Sequence, residues 1–290
     1  MKEKMDNSGS IHRREFFRAG LLGAAAGAAG WPAALRAGAT KPERDPTAGL
    51  KLGMASYTLR KFTLDQAIAM TRQVGVKYIN LKDVHLPMKS TRAERREARR
   101  KVEEAGLQLV GGGVIYLKNK EEEVRAAFEY VKDAGMPTMV CCPEVEALDI
   151  VEKLAREYKV LIAIHNHGPG DKRYPSPLDV WRLVKDRDPL MGLCIDVGHT
   201  VRLGQDPVAI IGQTASRLHD FHMKDVTAAT AEGKATEVGR GVIDIVGVLK
   251  AMQQAKYPYY VNLEYEANED APMPGIIESF GYLRGVLAAI

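Results

Sequence analysis

Cysteine is scarce in this chain, with three residues in 290. Cys141, Cys142 and Cys194 are odd in number and lie inside apolar runs, so a disulfide framework is excluded and buried thiols are expected. Long hydrophobic runs are missing too. The most apolar stretch, residues 19–29, is too short and too rich in glycine to predict a membrane span. An excess of charge of one sign is nearly absent, since 41 Lys+Arg face 37 Asp+Glu for a net +4. No Gly-rich phosphate loop follows the first apolar run, which argues against an open dinucleotide-binding sheet. With 46% hydrophobic and 27% charged residues, the composition is that of a globular protein with a sizeable core, not a disordered or collagenous one.

The first 39 residues differ from the rest. A polar, basic start leads to Arg13-Arg14-Glu15-Phe16-Phe17, then to the Ala/Gly/Leu stretch, then to small residues at Ala37-Gly38-Ala39. This resembles a twin-arginine export signal and predicts a protein delivered to the periplasm or another extracytoplasmic space. The signal, if left uncleaved, would be the chain's one link to a membrane. It holds six of the Lys/Arg and three of the Asp/Glu, so the remaining 251 residues carry 35 against 34, a net +1. Residues 40–49, with Pro42 and Pro46, read as a linker.

From residue 50 to residue 290, short apolar runs alternate with amphipathic ones. Strands are predicted to begin near Lys51, Lys77, Leu107, Thr138, Val160, Met191, Arg217 and Tyr259. Helical patterns between them run over 64–74, 92–104, 121–134, 147–158, 178–186, 207–215 and 243–255. Eight strands separated by helices predict an α/β fold, a single-domain (β/α)8 TIM barrel. The segment 92–104 carries six basic and four acidic residues, with Glu97/Lys101, Arg99/Glu103 and Arg100/Glu104 at i,i+4 spacing. It reads as a solvated helix face and not as a nucleic-acid patch.

In such a barrel the chemistry sits at the carboxyl ends of the strands. His85, His165, His167, His199 and His222 fall at or just past those ends, as do Lys82, Asp196, Lys224, Glu264 and Glu266. Residues two apart share a strand face, so His165, Asp196, His222 and Glu264 offer one ligand each from strands five to eight. Two imidazoles and two carboxylates suit one divalent metal ion, with Mn, Co, Zn, Mg and Fe all compatible.

The stretches "IHNHG" (164–168), "CIDVGHT" (194–200), "FHMKD" (221–225), "VGRGVIDI" (238–245) and "NLEYE" (262–266) resemble the sugar phosphate isomerase/epimerase family, with its xylose isomerase-like TIM barrel. In epimerases of that family a Glu, an Asp, a His and a Glu hold the metal. Asp196, His222 and Glu264 match the last three, while His165 stands where the pattern has Glu. Because the two Glu also serve as paired acid and base, this departure bears on symmetrical epimerisation.

The resemblance implies proton abstraction next to a sugar carbonyl through an enediolate. Glu264 is the expected base, with His167 and Lys82 as further catalytic candidates. His199, Lys224, Arg240, His85 and Glu266 are the expected substrate-binding residues. Isomerisation or epimerisation is the first reading; a lyase or hydratase acting on 3-keto-glycosides, and a non-catalytic sugar-binding barrel, are the alternatives. The expected partner is a small-molecule sugar and no nucleic acid, and a homo-oligomer is left open.

Overall fold

A computed structural model describes residue 47 and residues 49–290. The expected export signal, residues 1–39, and most of the linker lie outside the described residues. No helix among the described residues is long and apolar enough to cross a membrane.

Eight parallel strands form a closed barrel: β1 (Lys51–Ala55), β2 (Tyr78–Leu81), β3 (Gln108–Gly112, resuming at Ile115–Leu117), β4 (Thr138–Pro143), β5 (Leu161–His165), β6 (Met191–Asp196), β7 (Leu218–Met223) and β8 (Tyr260–Leu263). Each pairs with its successor in sequence, and β8 closes onto β1 with Lys51 opposite Tyr260. No residue of β4, β6 or β7 is exposed, because these strands are covered by the barrel interior on one side and by helices on the other. Gly192 permits a close approach: a Cβ there would overlap the carbonyl of Arg217 and the ring of His219.

Closure between β3 and β4 is irregular. Gly111 pairs with Thr138 and Ile115 with Cys141, so β3 advances four residues while β4 advances three. The extra residue is a bulge, and it interrupts β3 at Gly113 and Val114.

The helices are α1 (Leu64–Gln73), α2 (Arg92–Glu104), α3 (Glu121–Ala134), α4 (Leu148–Tyr158), α5 (Pro177–Val184), α6 (Val197–Val201), α7 (Pro207–Thr214), α8 (Ile245–Gln254) and α9 (Met273–Ala289). Reciprocal capping boxes start α1 at Thr63, α2 at Thr91 and α5 at Ser176, each cap contributing about 1 kcal/mol. In α2 only Ala98 and Val102 are buried. Arg99 pairs with Glu103 and Arg100 with Glu104 as the spacing predicts, whereas Lys101 reaches Asp65 on α1 and leaves Glu97 to Arg100. The expected helices did not include α6 or α9. In α9, Ile276, Phe280, Leu283 and Leu287 are buried at helical spacing, and each contributes roughly 1.5–3 kcal/mol by burial. All three cysteines are free and buried.

The barrel interior is layered by the two-residue period of its strands. Ala163, Cys194, Asp220 and Asn262 form one level, with Asn262 Nδ2 donating to Asp220 Oδ1 at 2.8 Å. Two residues further along each strand, His165, Asp196, His222 and Glu264 form the next. His167, Lys224 and Glu266 stand above them, at the open end.

Candidate metal centre and substrate pocket

His165 ends β5, Asp196 ends β6, His222 lies one residue before the end of β7, and Glu264 directly follows β8. One nitrogen or carboxylate oxygen from each of these four buried residues lies within 4.8 Å of all the others. His165 Nε2 is 3.1 Å from His222 Nδ1 and 3.6 Å from Asp196 Oδ2, and His222 Nδ1 is 3.3 Å from Glu264 Oε2. Metal–ligand bonds of about 2.0–2.2 Å place adjacent donors about 3–3.6 Å apart, so these spacings fit one divalent ion.

Protonation divides the four ligands: against its burial, the neighbouring Cys194 and Glu264 hold the His222 imidazole well above its usual range, so a metal would have to displace its proton. Burial pushes the His165 imidazole down to about 3 despite the opposing Asp196 carboxylate, so its ring is neutral and keeps a lone pair for a metal. Burial alone would raise Asp196 and Glu264. The charges of His199 and Lys224 around Asp196, and of Lys224 and His222 around Glu264, overcome it and hold both carboxyls well below the usual range. Cys194 also lies near the two histidines. Burial pushes its thiol up to about 12, which leaves the carboxylates as the ionised partners.

Lys224 is the counter-charge of the site. It is 4% exposed, and its Nζ lies 3.0 Å from Asp196 Oδ2, 3.0 Å from Glu264 Oε2 and in contact with Glu266 Oε1. An ammonium so deeply buried is stable only with such partners.

A cavity of about 220 Å³ opens above these groups, lined by Tyr57, Lys82, Val114, Tyr116, His165, His167, His199, Lys224, Glu264 and Glu266. The expected residues Lys82, His167, His199, Lys224 and Glu266 are thus brought together with the ligand set. Lys82 Nζ donates to the Val114 carbonyl at 2.9 Å. Asp196 caps the start of α6, its Oδ1 accepting from the His199 backbone N–H at 2.8 Å. His167 Nε2 lies 3.1 Å from the Tyr116 hydroxyl, with the two rings stacked at 5.8 Å.

Two expected substrate-binding residues are placed elsewhere. His85 is buried, with its ring nitrogens at 2.9 Å from Ser56 Oγ and 3.1 Å from the Phe62 carbonyl. It borders a separate surface cavity beside α2, because the chain turns outward after β2. Arg240 is exposed and pairs with Glu278 on α9, since its Gly-Arg-Gly turn runs along the helical layer. The aromatic lining was missed by sequence reasoning. Tyr57 follows β1 and Tyr116 lies in the resumed part of β3, so the strand-end rule that selected the histidines would have found both.

Residues 68–286 match the family model described as the xylose isomerase-like TIM barrel. The chain belongs to that family. It is 26% identical over 152 residues to an inosose dehydratase of Clostridium beijerinckii, covering 47% of this chain and 49% of that protein. The chain thus spans about half the length of the curated relatives it matches. Among solved structures, it is similar to the IOLI protein with a bound zinc atom, at a TM-score of 0.70 and 16% identity over 83% of this chain and 99% of that one. It is also similar to the 3-keto-D-glucoside 4-epimerase YcjR of E. coli, at a TM-score of 0.68 and 13% identity over 81% and 99%. These two likenesses speak for the fold.

Proposed function

We propose that this chain is a divalent-metal-dependent enzyme that removes a proton next to the carbonyl of an oxidised sugar and expels a β-leaving group. One observation carries this reading: the pocket's carboxylates Glu264 and Glu266 both come from the end of β8, while β3 and β5 bring Tyr116, His165 and His167. A single strong base with a separate proton donor suits elimination, whereas symmetrical epimerisation calls for a second carboxylate. The match to a dehydratase supports the same reading.

His165, Asp196, His222 and Glu264 would hold the ion, which supplies Lewis acidity toward a carbonyl oxygen. Glu264 accepts the carbon-bound proton through the carboxylate oxygen that Lys224 does not hold. The released electron pair forms the carbon–carbon double bond as the β carbon–oxygen bond breaks. The departing oxygen takes its proton from the hydrogen-bonded Tyr116–His167 pair. Lys82 and Lys224 orient other substrate oxygens, and movement of Lys224 toward them raises the basicity of Glu264.

The test is incubation of the metal-loaded full chain with ketoses, inososes and 3-keto-glycosides in D₂O, followed by NMR. Release of water or aglycone, abolished by a chelator, is the expected result. Deuterium entering the α-carbon without bond cleavage would instead show the isomerase or epimerase outcome. Sugar binding without turnover, unaffected by Glu264→Gln, would make the barrel a non-catalytic binder. We also propose export through the Arg13-Arg14 segment, which cell fractionation with N-terminal sequencing of the mature protein tests.

A further inference from the structure

A second cavity, of about 560 Å³, adjoins the first and shares Lys82, Val114 and Tyr116 with it. Its chemistry differs. Met88, Ile115, Leu117, Ala126 and Tyr130 give it a mainly apolar wall between the β3 bulge and α3, where the first cavity is lined by three imidazoles, two lysines and two carboxylates. The partition between them is thin. It consists of Gly113–Val114, which the β4 ladder skips while Gly113 N–H still donates to the Leu81 carbonyl at 3.2 Å, and of the Lys82 side chain, which packs so closely on Gly113 that a Cβ there would overlap Lys82 Cδ. Its polar tie is the Lys82 Nζ bond to the Val114 carbonyl. At the border stands Tyr116, 63% exposed, whose ring lines both cavities and offers an aromatic face to a planar group.

Size points the same way. Small-molecule sites span roughly 300–1,000 Å³, and the charged cavity by itself falls short of that range, whereas the two together lie within it. The charged compartment has room and donors for one oxidised sugar ring. Asp83, Lys89 and Glu123 also line the second cavity but are exposed, so its charges stand at the rim, and a flat hydrophobic group would be desolvated against the apolar wall.

We infer that the substrate is a glycoside whose keto-sugar ring occupies the metal side and whose apolar, ring-sized aglycone lies in the cavity over the β3 bulge. This rests on the proposed chemistry and adds the substrate class.

The test compares methyl and phenyl 3-keto-β-glucosides with wild type and Ala126→Trp. Ala126 lies on the exposed side of α3, away from the reacting groups, so an indole there fills the apolar compartment without entering the core. Wild type is expected to favour the phenyl substrate in kcat/KM by about tenfold. Ala126→Trp is expected to bring the ratio close to one with the methyl substrate unchanged. Equal kcat/KM for the two substrates in wild type, or an unaltered ratio in the variant, overturns the inference. If neither substrate turns over, the elimination reading fails separately, and NMR titration with phenyl and methyl β-glucosides decides the inference. Tighter binding of the phenyl ligand that disappears in Ala126→Trp upholds it, and equal binding overturns it.

Discussion

Strands β5–β8 and strands β1–β4 build the same barrel, yet their carboxyl ends carry different chemistry. The first group brings four histidines, a lysine and three carboxylates to one place, and the ladder of hydrogen bonds beneath them is continuous apart from one register shift at Leu193/Cys194. The second group brings Tyr57, Lys82, Val114 and Tyr116, and its ladder is broken at Gly113. Electrostatic work needs donors fixed to within a fraction of an ångström, so it resides on strands that are paired on both sides and almost wholly buried. Shape recognition tolerates looser placement, and it resides beside a bulge.

The sharpest way to break this contrast is Glu264→Gln. Loss of the base and of one ligand charge is expected to lower kcat/KM by about 10²–10³-fold or more, with metal content by elemental analysis falling in parallel. Retention of both would remove Glu264 from the site's chemistry. Lys224→Met comes next. It leaves Asp196, Glu264 and Glu266 without their ammonium, and the metal-free protein is expected to lose about 3–5 kcal/mol in denaturant unfolding. Added Zn²⁺ should restore much of that stability, since a divalent ion neutralises the same carboxylates. The smallest effect is expected for Arg240→Ala, whose pair with Glu278 is exposed: little change in the denaturant midpoint, since solvent screens such a pair, and no change in KM. A large rise in KM would bring the Gly-Arg-Gly turn back to the substrate.

Legibility in the sequence follows the same division. Along β5–β8 the two-residue period alone sorts Ala163 from Ile164 and Cys194 from Ile195, so both inner levels of the barrel are readable from the apolar runs. The ligand cluster follows from that sorting, because regular strands carry sequence spacing into space. His85 and Arg240 follow irregular segments, where spacing says nothing about direction: His85 turns back to Ser56 and Phe62, and Arg240 turns outward to Glu278. The bulge in β3 was hidden for a related reason. Gly111-Gly112-Gly113 signals a close approach, but only the register of the neighbouring strand shows that one residue is in excess. Helix α9 escaped notice because Gly275, Gly281 and Gly285 dilute a pattern that tertiary packing nonetheless secures.

The β3 bulge also makes the barrel a hoop with one slot in it. A closed ring of paired strands resists widening everywhere at once, since every strand is clamped on both sides. Where β3 carries a spare residue, Gly113 keeps its bond to the Leu81 carbonyl on β2 but has no ladder partner on β4, so the ring is clamped there on one side only. The strands that carry the four metal donors are clamped on both sides, so the spacing of those donors does not depend on that stretch.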